Sequence, residues 1–207
     1  TNRKMSDALY NIEYGLFVIT AREGEKDNGC ISNSVIQVAS ASPQTIAVSM
    51  NKKNFTHDMI LRTNLLNVSI LTKEVPMNVI SHFGFQSGRD VNKFEKCDAV
   101  KRSENGLYYI PKYTNAFISG AVKNVVDCGT HSIFIAEITE KQVLSDVESV
   151  TYSYYQKNIK PKPEPSVKVG WRCKVCGYVY EGEELPADFV CPWCKHGAAD
   201  FEKITIE

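Results

Sequence analysis

Two Cys-x-x-Cys pairs in the last quarter of the chain constrain this sequence more than any other feature. The four residues are Cys173, Cys176, Cys191 and Cys194. Four sulfurs in so short a segment can take the corners of a tetrahedron, the geometry in which thiolates hold Zn²⁺ or a single iron ion. The spacing therefore predicts a small metal-binding module. It leaves the metal open, because a structural zinc ribbon uses the same spacing.

Composition excludes several other classes of protein. The 207 residues suffice for one ordinary domain and a small one, and 24 basic residues balance 24 acidic ones. No net field favours nucleic acid or an anionic membrane, and neither a spanning helix nor a secretion signal is evident. Four cysteines with metal spacing and three scattered ones, Cys30, Cys97 and Cys128, suit a reducing cytoplasm better than a disulfide scaffold. We expect the scattered three to be buried small side chains rather than catalytic groups. We therefore expect a cytoplasmic protein that binds neither nucleic acid nor membrane.

A proline-rich segment divides the sequence. Residues 157–168, KNIKPKPEPSVK, alternate prolines with polar residues. This composition cannot form an apolar core and favours extended polyproline II, so it predicts a semi-rigid linker. We expect one domain over residues 1–156 and a second over residues 169–207.

The pattern before the linker is typical of an antiparallel β-protein. The predicted strands cover residues 15–21, 30–40, 45–51, 66–70, 106–111, 116–126 and 132–139. One helix is predicted after a cap at Asn54 or Thr56, and a second, short helix is predicted over residues 76–83. Because strands follow one another directly and no G-x-G-x-x-G is present, we predict a mainly β, six- or seven-stranded antiparallel barrel rather than a Rossmann fold. The first strand, GLFVITA, is apolar on both faces and should be buried on both sides.

Two polar clusters lie at predicted strand ends. The first, NGCISNS at residues 28–34, places small hydrogen-bonding groups where they can reach the edge of a planar heterocycle. The second, SMNKKNFTH at residues 49–57, runs into a helix N-terminus beside two lysines, a combination suited to a phosphate. Turn chemistry and helix capping explain each cluster taken alone. Together they predict a mononucleotide site.

Aromatic residues crowd the cysteine-rich module. They are Trp171, Tyr178, Tyr180, Phe189, Trp193 and Phe201. An apolar shell of this kind shields a metal from water and tunes its reduction potential, which favours iron, although a zinc ribbon also needs a core. A Cys-Pro-x-Cys pair can also be a thioredoxin-type dithiol, but the nearby first pair argues against that alternative.

The segment WRCKVCGYVYEGEE…DFVCPWC…ADFE resembles rubredoxin, an Fe(Cys)₄ electron carrier, over residues 169–203. Two departures from the rubredoxin pattern stand out. The interval between the pairs is only 14 residues, as in the rubredoxin-like tails of rubrerythrins. Lys195 also follows the second pair where a glycine is usual, so the sequence leaves the geometry of the second turn open.

Residues 5–155 resemble the flavin-reductase-like family, which has an FMN-binding split barrel. The matching segments are NGCISNSVIQVAS, SMNKKNFTH, FGFQSGRDVNKF and GTHSIFIAEI. The resemblance implies that the first cluster binds the cofactor through Asn28, Cys30, Ser32, Asn33 and Ser34, the last four facing the isoalloxazine. It implies that the ribityl phosphate is held by Ser49, Asn51, Lys53, Asn54 and Thr56. Arg89 and Lys93 would close over the cofactor.

The same resemblance places His131 near the flavin and the nicotinamide. The alternative for this residue is a polar side chain at a strand start whose hydrogen bonds its neighbours satisfy. We therefore treat His131 as the candidate catalytic residue.

A flavin-reductase barrel, a proline linker and a short rubredoxin together resemble the high-molecular-weight rubredoxins of anaerobic bacteria. That resemblance implies an oxidoreductase that passes electrons from NAD(P)H through FMN to iron and on to a flavodiiron oxygen or nitric oxide reductase. An upstream flavin favours iron over zinc, because it gives a redox metal a donor. The resemblance also implies a homodimer with FMN at the interface, with which the two-faced apolar strand at 15–21 is compatible.

Two alternatives remain open. In the first, the protein is a flavin reductase that releases reduced FMN to a separate oxygenase, and the small module is a structural zinc ribbon. In the second, the barrel is a flavin-binding sensor without turnover. The sequence does not distinguish NADH from NADPH, because no ribose-binding acid or phosphate-binding arginine pair is recognisable.

Overall fold

The computed structural model describes residues 8–95, 97, 99–161 and 168–206. They divide into two compact units, the first ending at Lys160 and the second starting at Pro161. Residues 162–167 of the predicted linker lie outside the described residues, so a polyproline II conformation there stays a prediction. Within the described residues, no helix is both long enough and apolar enough to cross a lipid bilayer.

The first unit is built on a seven-stranded sheet in which every neighbouring pair is antiparallel. Its strands are β1 Phe17–Glu23, β2 Lys26–Ser32, β3 Val35–Ala39, β4 Thr45–Asn51, β5 Leu65–Leu71, β8 Thr114–Cys128 and β9 His131–Val143. They lie in the order β2-β1-β5-β8-β9-β4-β3. Two short strands, β6 Lys101–Arg102 and β7 Tyr108–Tyr109, form a separate hairpin. The prediction of a mainly β, antiparallel fold is confirmed.

One hydrophobic core lies inside the curled sheet. Cys30 of β2 and Val48 of β4 belong to opposite ends of the strand order, yet both are buried in this core. Met59 and Ile60 of helix α1, Phe55–Thr63, pack into the same core. The sheet must therefore curve strongly, as a barrel does.

Strand β1 is buried on both faces, as its sequence predicts. Phe17 and Ile19 contribute to the core inside the sheet, whereas Leu16 and Val18 belong to a second core. Helix α2, Met77–Gly84, contributes Ile80 to that second core. The chain itself covers both faces of this strand, so its apolar pattern is explained without a subunit interface, and the homodimer stays a prediction.

Several predicted boundaries need correction. The strand predicted at 30–40 is two strands, because β2 pairs with β1 whereas β3 pairs with β4. The chain changes partner near Ser34, whose carbonyl accepts a hydrogen bond from the amide of Ser49 at 2.9 Å. The strand predicted at 106–111 reduces to the two residues of β7.

The end of the first unit is helical. Helix α3, Tyr152–Tyr154, continues as a π-helical turn over Tyr155–Ile159, which extends three residues into the segment predicted as linker. Tyr155 is buried in the second core and Ile159 packs against it. Packing of these two side chains explains why the ordered chain continues beyond residue 156.

The second unit is a small three-stranded sheet around the cysteines. Its strands are β10 Lys168–Cys173, β11 Val179–Glu181 and β12 Phe201–Ile206, in the order β11-β10-β12. A 3₁₀ turn at Ala198–Asp200 precedes β12. Phe201 is buried with Cys173 and Cys191, so the core of this unit surrounds the sulfur atoms.

Candidate functional site

The four predicted metal ligands converge in the second unit. Their Sγ atoms all lie within 4.8 Å of one another, with Cys173 and Cys194 3.6 Å apart and Cys176 and Cys191 3.5 Å apart. Four thiolates placed tetrahedrally about 2.3 Å from a metal are separated by about 3.8 Å. The cluster therefore fits a single tetrahedral ion.

The two Cys-x-x-Cys turns have matching backbone geometry. The amide of Cys173 donates to the carbonyl of Tyr178, and the amide of Cys191 donates to the carbonyl of His196, both at 2.8 Å. Gly177 has φ of 80°, and Lys195 has φ of 63° at the equivalent position. The second turn therefore keeps the geometry of the first despite the missing glycine, because Lys195 adopts the left-handed conformation that glycine usually supplies.

Backbone amides stabilise thiolates in both turns. Burial raises the pKa of the Cys191 thiol, but hydrogen bonds from the amides of Cys194 and Trp193 and from neighbouring thiols outweigh it, so the pKa falls to about 6. The amides of Cys176 and Val175 lower the pKa of Cys173 against burial in the same way. Because metal ligands must be deprotonated, these amides prepare the site for a cation.

Aromatic rings enclose one part of this site and leave another part accessible. The ring of Phe189 lies 4.8 Å from that of Tyr180 and 5.4 Å from that of Phe201, measured between centroids. Cys173 and Cys191 are buried, whereas Cys176 and Cys194 are only half-buried. The apolar side chains of Val175 and Trp193 are 54% and 71% exposed beside these two cysteines in the chain.

The first unit contains a cleft of about 740 Å³ that gathers most of the predicted cofactor residues. Those that line it are Cys30, Ser32, Asn33, Ser34, Ser49, Asn51, Asn54 and His131. The volume is within the range of ligand pockets. The two polar clusters of the sequence therefore meet, because β2 and β4 end beside each other near the β2–β3 connection.

A second pocket of about 380 Å³ shares Cys30, Asn51 and Asn54 with the first. Here β4 passes directly into α1, where Asn54 caps the helix by accepting from the amide of Thr56 at 3.0 Å. Lys53 and Lys93 line only this pocket. A helix N-terminus beside a lysine is an anion-binding arrangement.

Three predicted cofactor residues bond to other parts of the chain and do not line either pocket. Asn28 and Thr56 are buried behind the cleft, the Nδ2 of Asn28 donating to the Oγ1 of Thr56 at 2.9 Å. Arg89 pairs with Asp58 at 2.5 Å. Asn28, Thr56 and Arg89 are not among the residues lining either pocket, so the structure brings them next to the cleft rather than into it.

Lys93 is almost fully buried. Its ammonium donates to the carbonyl oxygens of Gly29 and Phe83, each at 2.8 Å, and burial lowers its pKa. These bonds attach the loop after α2 to β2. The same loop approaches Asn28 so closely that a Cβ on Gly88 would lie 2.0 Å from the Oδ1 of Asn28. A larger residue at position 88 would therefore displace the buried side chain of Asn28.

His131 begins β9 and lines the larger cleft. Its Nδ1 lies 2.9 Å from the Oγ1 of the neighbouring Thr130. The ring is half-buried. Nε2 has no described hydrogen-bond partner among the residues covered by the structure, so one ring nitrogen is free to face a ligand.

Sequence reasoning missed one whole wall of the larger cleft. Tyr152, Tyr155, Gln156 and Lys160 line it from α3 and the turn that follows. The aromatic run TYSYYQ, immediately before the prolines, was the available signal. It indicates packed structure where a linker was expected to begin.

Two family models match the chain, and the residues they match correspond to the two units just described. The model of the flavin reductase-like domain matches residues 9–162, and that of the rubrerythrin, rubredoxin-like domain matches residues 171–202. The fold and its two sites therefore define an oxidoreductase that joins a flavin reductase-like domain to a rubredoxin-like four-cysteine module. The chain belongs to the flavin reductase-like family and, over nearly all its length, to the high-molecular-weight rubredoxins.

Individual relatives support the same assignment. The chain is 38% identical to the high molecular weight rubredoxin of Moorella thermoacetica, over 95% of this chain and 98% of the relative. It is 35% identical to the ferric-chelate reductase (NAD(P)H) of Archaeoglobus fulgidus, over 81% of this chain and 98% of the relative. The solved structure of the NADH:FAD oxidoreductase SgcE6 from Streptomyces globisporus C-1027 has a TM-score of 0.61 at 23% identity, covering 69% of this chain and 83% of that one. At that identity, the similarity shows the shared fold.

Proposed function

We propose that this protein passes electrons from NAD(P)H through FMN to an iron ion in the four-cysteine site and on to a partner protein. The main support is that one chain joins a flavin reductase-like fold, whose cleft suits a mononucleotide, to a four-thiolate centre. Bound FMN supplies a group that takes both electrons of a hydride and releases them singly, and iron in a four-thiolate site takes one. The pairing of the two sites is what this conversion requires.

The residues of the cleft divide the work of holding FMN. The segment Cys30–Ser34 offers small hydrogen-bonding groups to the edge of the ring. The N-terminus of α1, with Lys53, binds the phosphate. Arg89 and Lys93 act by fixing the loop after α2, since both cations already have partners in the chain. His131 orients the flavin or the nicotinamide, because hydride transfer itself needs no acid or base.

The environment of the cysteines favours a redox-active ion. Amide hydrogen bonds offset the charge of four thiolates, and the aromatic rings exclude water from the buried pair, both of which tune a reduction potential. Electrons leave by the half-buried Cys176 and Cys194, beside the exposed side chains of Val175 and Trp193. The acceptor that we propose is a flavodiiron-type oxygen or nitric oxide reductase.

We also propose that the protein is a homodimer whose interface includes β3. This strand lies at the end of the sheet order, and Ile36 and Val38 are 64% and 54% exposed on it. An exposed apolar edge strand is an association site unless something covers it. Strand β3 starts directly after Ser34, which lines the cleft, so a partner on β3 would lie close to the cofactor.

A flavin reductase with a structural zinc ribbon is the second candidate, because four thiolates in tetrahedral geometry suit zinc equally well. Metal analysis of the full chain from iron-replete cells separates the two candidates. We expect about one iron per chain and red-brown iron–thiolate absorption that NADH bleaches in the presence of FMN. One zinc per chain, with no visible band from the four-cysteine site, would contradict the proposal and support the ribbon.

A further inference from the structure

The wall of the larger cleft formed by α3 and the π-helical turn has no role in the function proposed so far. Gln156 and Lys160 line this cleft but not the second pocket, where Lys53 lies. Tyr155, buried in the second core, anchors the turn, and the amide of Lys160 donates to the carbonyl of Tyr155 at 2.9 Å to close it. The wall is therefore a fixed part of the first unit.

The polar side chains of this wall are unengaged. Over residues 8–95, 97, 99–161 and 168–206, no hydrogen bond or ion pair is described for the ammonium of Lys160 or the side-chain amide of Gln156. Other cations near the cleft are occupied: Lys93 by two carbonyls, Arg89 by Asp58 and Lys52 by Asp127 at 2.7 Å. Among the described residues that line the two pockets, Lys53 and Lys160 are thus the two cations without a partner.

These two free ammonium groups line different pockets, Lys53 the second pocket and Lys160 the larger cleft. FMN has one phosphate, and the helix N-terminus beside Lys53 accounts for it. Lys160 lines the larger cleft, which also contains His131 and the ring-facing serines. A dinucleotide donor must bring its nicotinamide into this cleft, and its pyrophosphate then needs a cation of its own.

We propose that Lys160 and Gln156 form the subsite for the pyrophosphate of the NAD(P)H donor. This inference rests on the proposed function, because it takes FMN to occupy the Lys53 end. Lys160 contributes charge, and Gln156 contributes a neutral donor. Both NADH and NADPH contain the pyrophosphate, so the subsite serves both donors without discriminating between them.

The test compares donors with and without the pyrophosphate on the FMN- and metal-loaded full chain. Replacing Lys160 by Gln should lower kcat/KM for NADH and NADPH alike by about five- to tenfold, the usual effect of losing one accessible charge-assisted contact. It should leave kcat/KM for reduced nicotinamide riboside, which has no phosphate, unchanged. Lys160→Arg should keep most of the wild-type value. Lys157→Gln is the matched control, because Lys157 is exposed on the same turn and does not line the cleft.

Binding gives a second readout that does not depend on turnover. ADP-ribose keeps the pyrophosphate but lacks the nicotinamide, so calorimetry should show a Kd raised by about five- to tenfold in Lys160→Gln and an unchanged Kd for FMN. An equal loss of kcat/KM with NADH and the riboside, or a loss confined to NADPH, would overturn the pyrophosphate assignment. A Lys160→Gln variant with wild-type kcat/KM for all donors would also overturn it, while leaving the proposed function intact. A wild-type protein that oxidises neither donor would reject the proposed function itself.

Discussion

Lys195 shows at the scale of one residue how the second cysteine turn keeps its geometry without the usual glycine. Its φ of 63° lies in the left-handed region, which costs a residue with a Cβ about 1–2 kcal/mol. Gly177, at the equivalent place in the first turn, has no such cost. The backbone hydrogen bonds of Cys191 and the four clustered thiolates therefore hold the second turn in this conformation.

Replacing Lys195 by Gly should stabilise the module. The removed strain exceeds the extra entropy that glycine gives the unfolded chain, so the gain should be about 0.5 kcal/mol. Guanidinium titration of the metal-loaded full chain, followed by metal–thiolate absorption, measures it. Gly177→Ala should shift the midpoint in the opposite direction, and a Lys195→Gly variant with a lower midpoint than wild type would show that the lysine side chain stabilises the turn.

At the scale of elements, the ion pair between Arg89 and Asp58 attaches the loop after α2 to α1. Burial raises the pKa of Asp58, but hydrogen bonds from Arg89 and His57 outweigh it, so the pKa lies below the ordinary 3.8. A carboxyl with a lowered pKa in the folded state adds stability above its unfolded pKa and loses it as the pH falls. The attachment should therefore weaken only in acid.

The Arg89→Gln variant should be less stable than wild type by about 0.5–1 kcal/mol near neutral pH, the size expected for a partly exposed pair. This difference in stability should shrink as the pH falls below 3.8, because the wild-type protein then loses the ion pair with Asp58 that the variant already lacks. Urea unfolding at several pH values provides the measurement. A difference that stays constant with pH would mean that Arg89 acts through packing on the ring of Phe55, 4.8 Å away, rather than through charge.

Strand β3 is the element on which the proposed dimer depends. Ile36→Lys places a charge on the exposed edge and should convert a dimer to a monomer in analytical ultracentrifugation. Lys101→Gln serves as the control, because Lys101 is exposed on the separate β6–β7 hairpin. A dimer that persists in the Ile36→Lys protein would place the interface elsewhere.

Local features were predictable from sequence, and features that depend on distant partners were not. The cysteine ligands and the Asn54 cap follow from spacing and from chemistry within a few residues. The split of one predicted strand into β2 and β3 depends on β4, which the chain reaches later. The cleft wall at Gln156 was missed for the same reason, since the packing of Tyr155 and Ile159 on the distant second core keeps that segment folded.

For the whole molecule, we propose that the cleft of the first unit and the four-cysteine site work in series. Each site on its own fits a simpler protein, a flavin reductase or a zinc ribbon. Their union in one chain is explained if hydride electrons enter at the cleft and leave singly from the cysteines. Cys191→Ser should then stop delivery to a protein acceptor while NADH oxidation by the flavin continues.

An anaerobic titration of the full chain, loaded with FMN and iron, tests this claim most directly. NADH is added in steps while the flavin and iron–thiolate absorption bands are followed separately. Two electrons for the flavin and one for the iron predict that both bands bleach fully at about 1.5 NADH per chain. Bleaching that ends at about one NADH per chain, with the iron–thiolate band unchanged, would contradict electron transfer between the two sites.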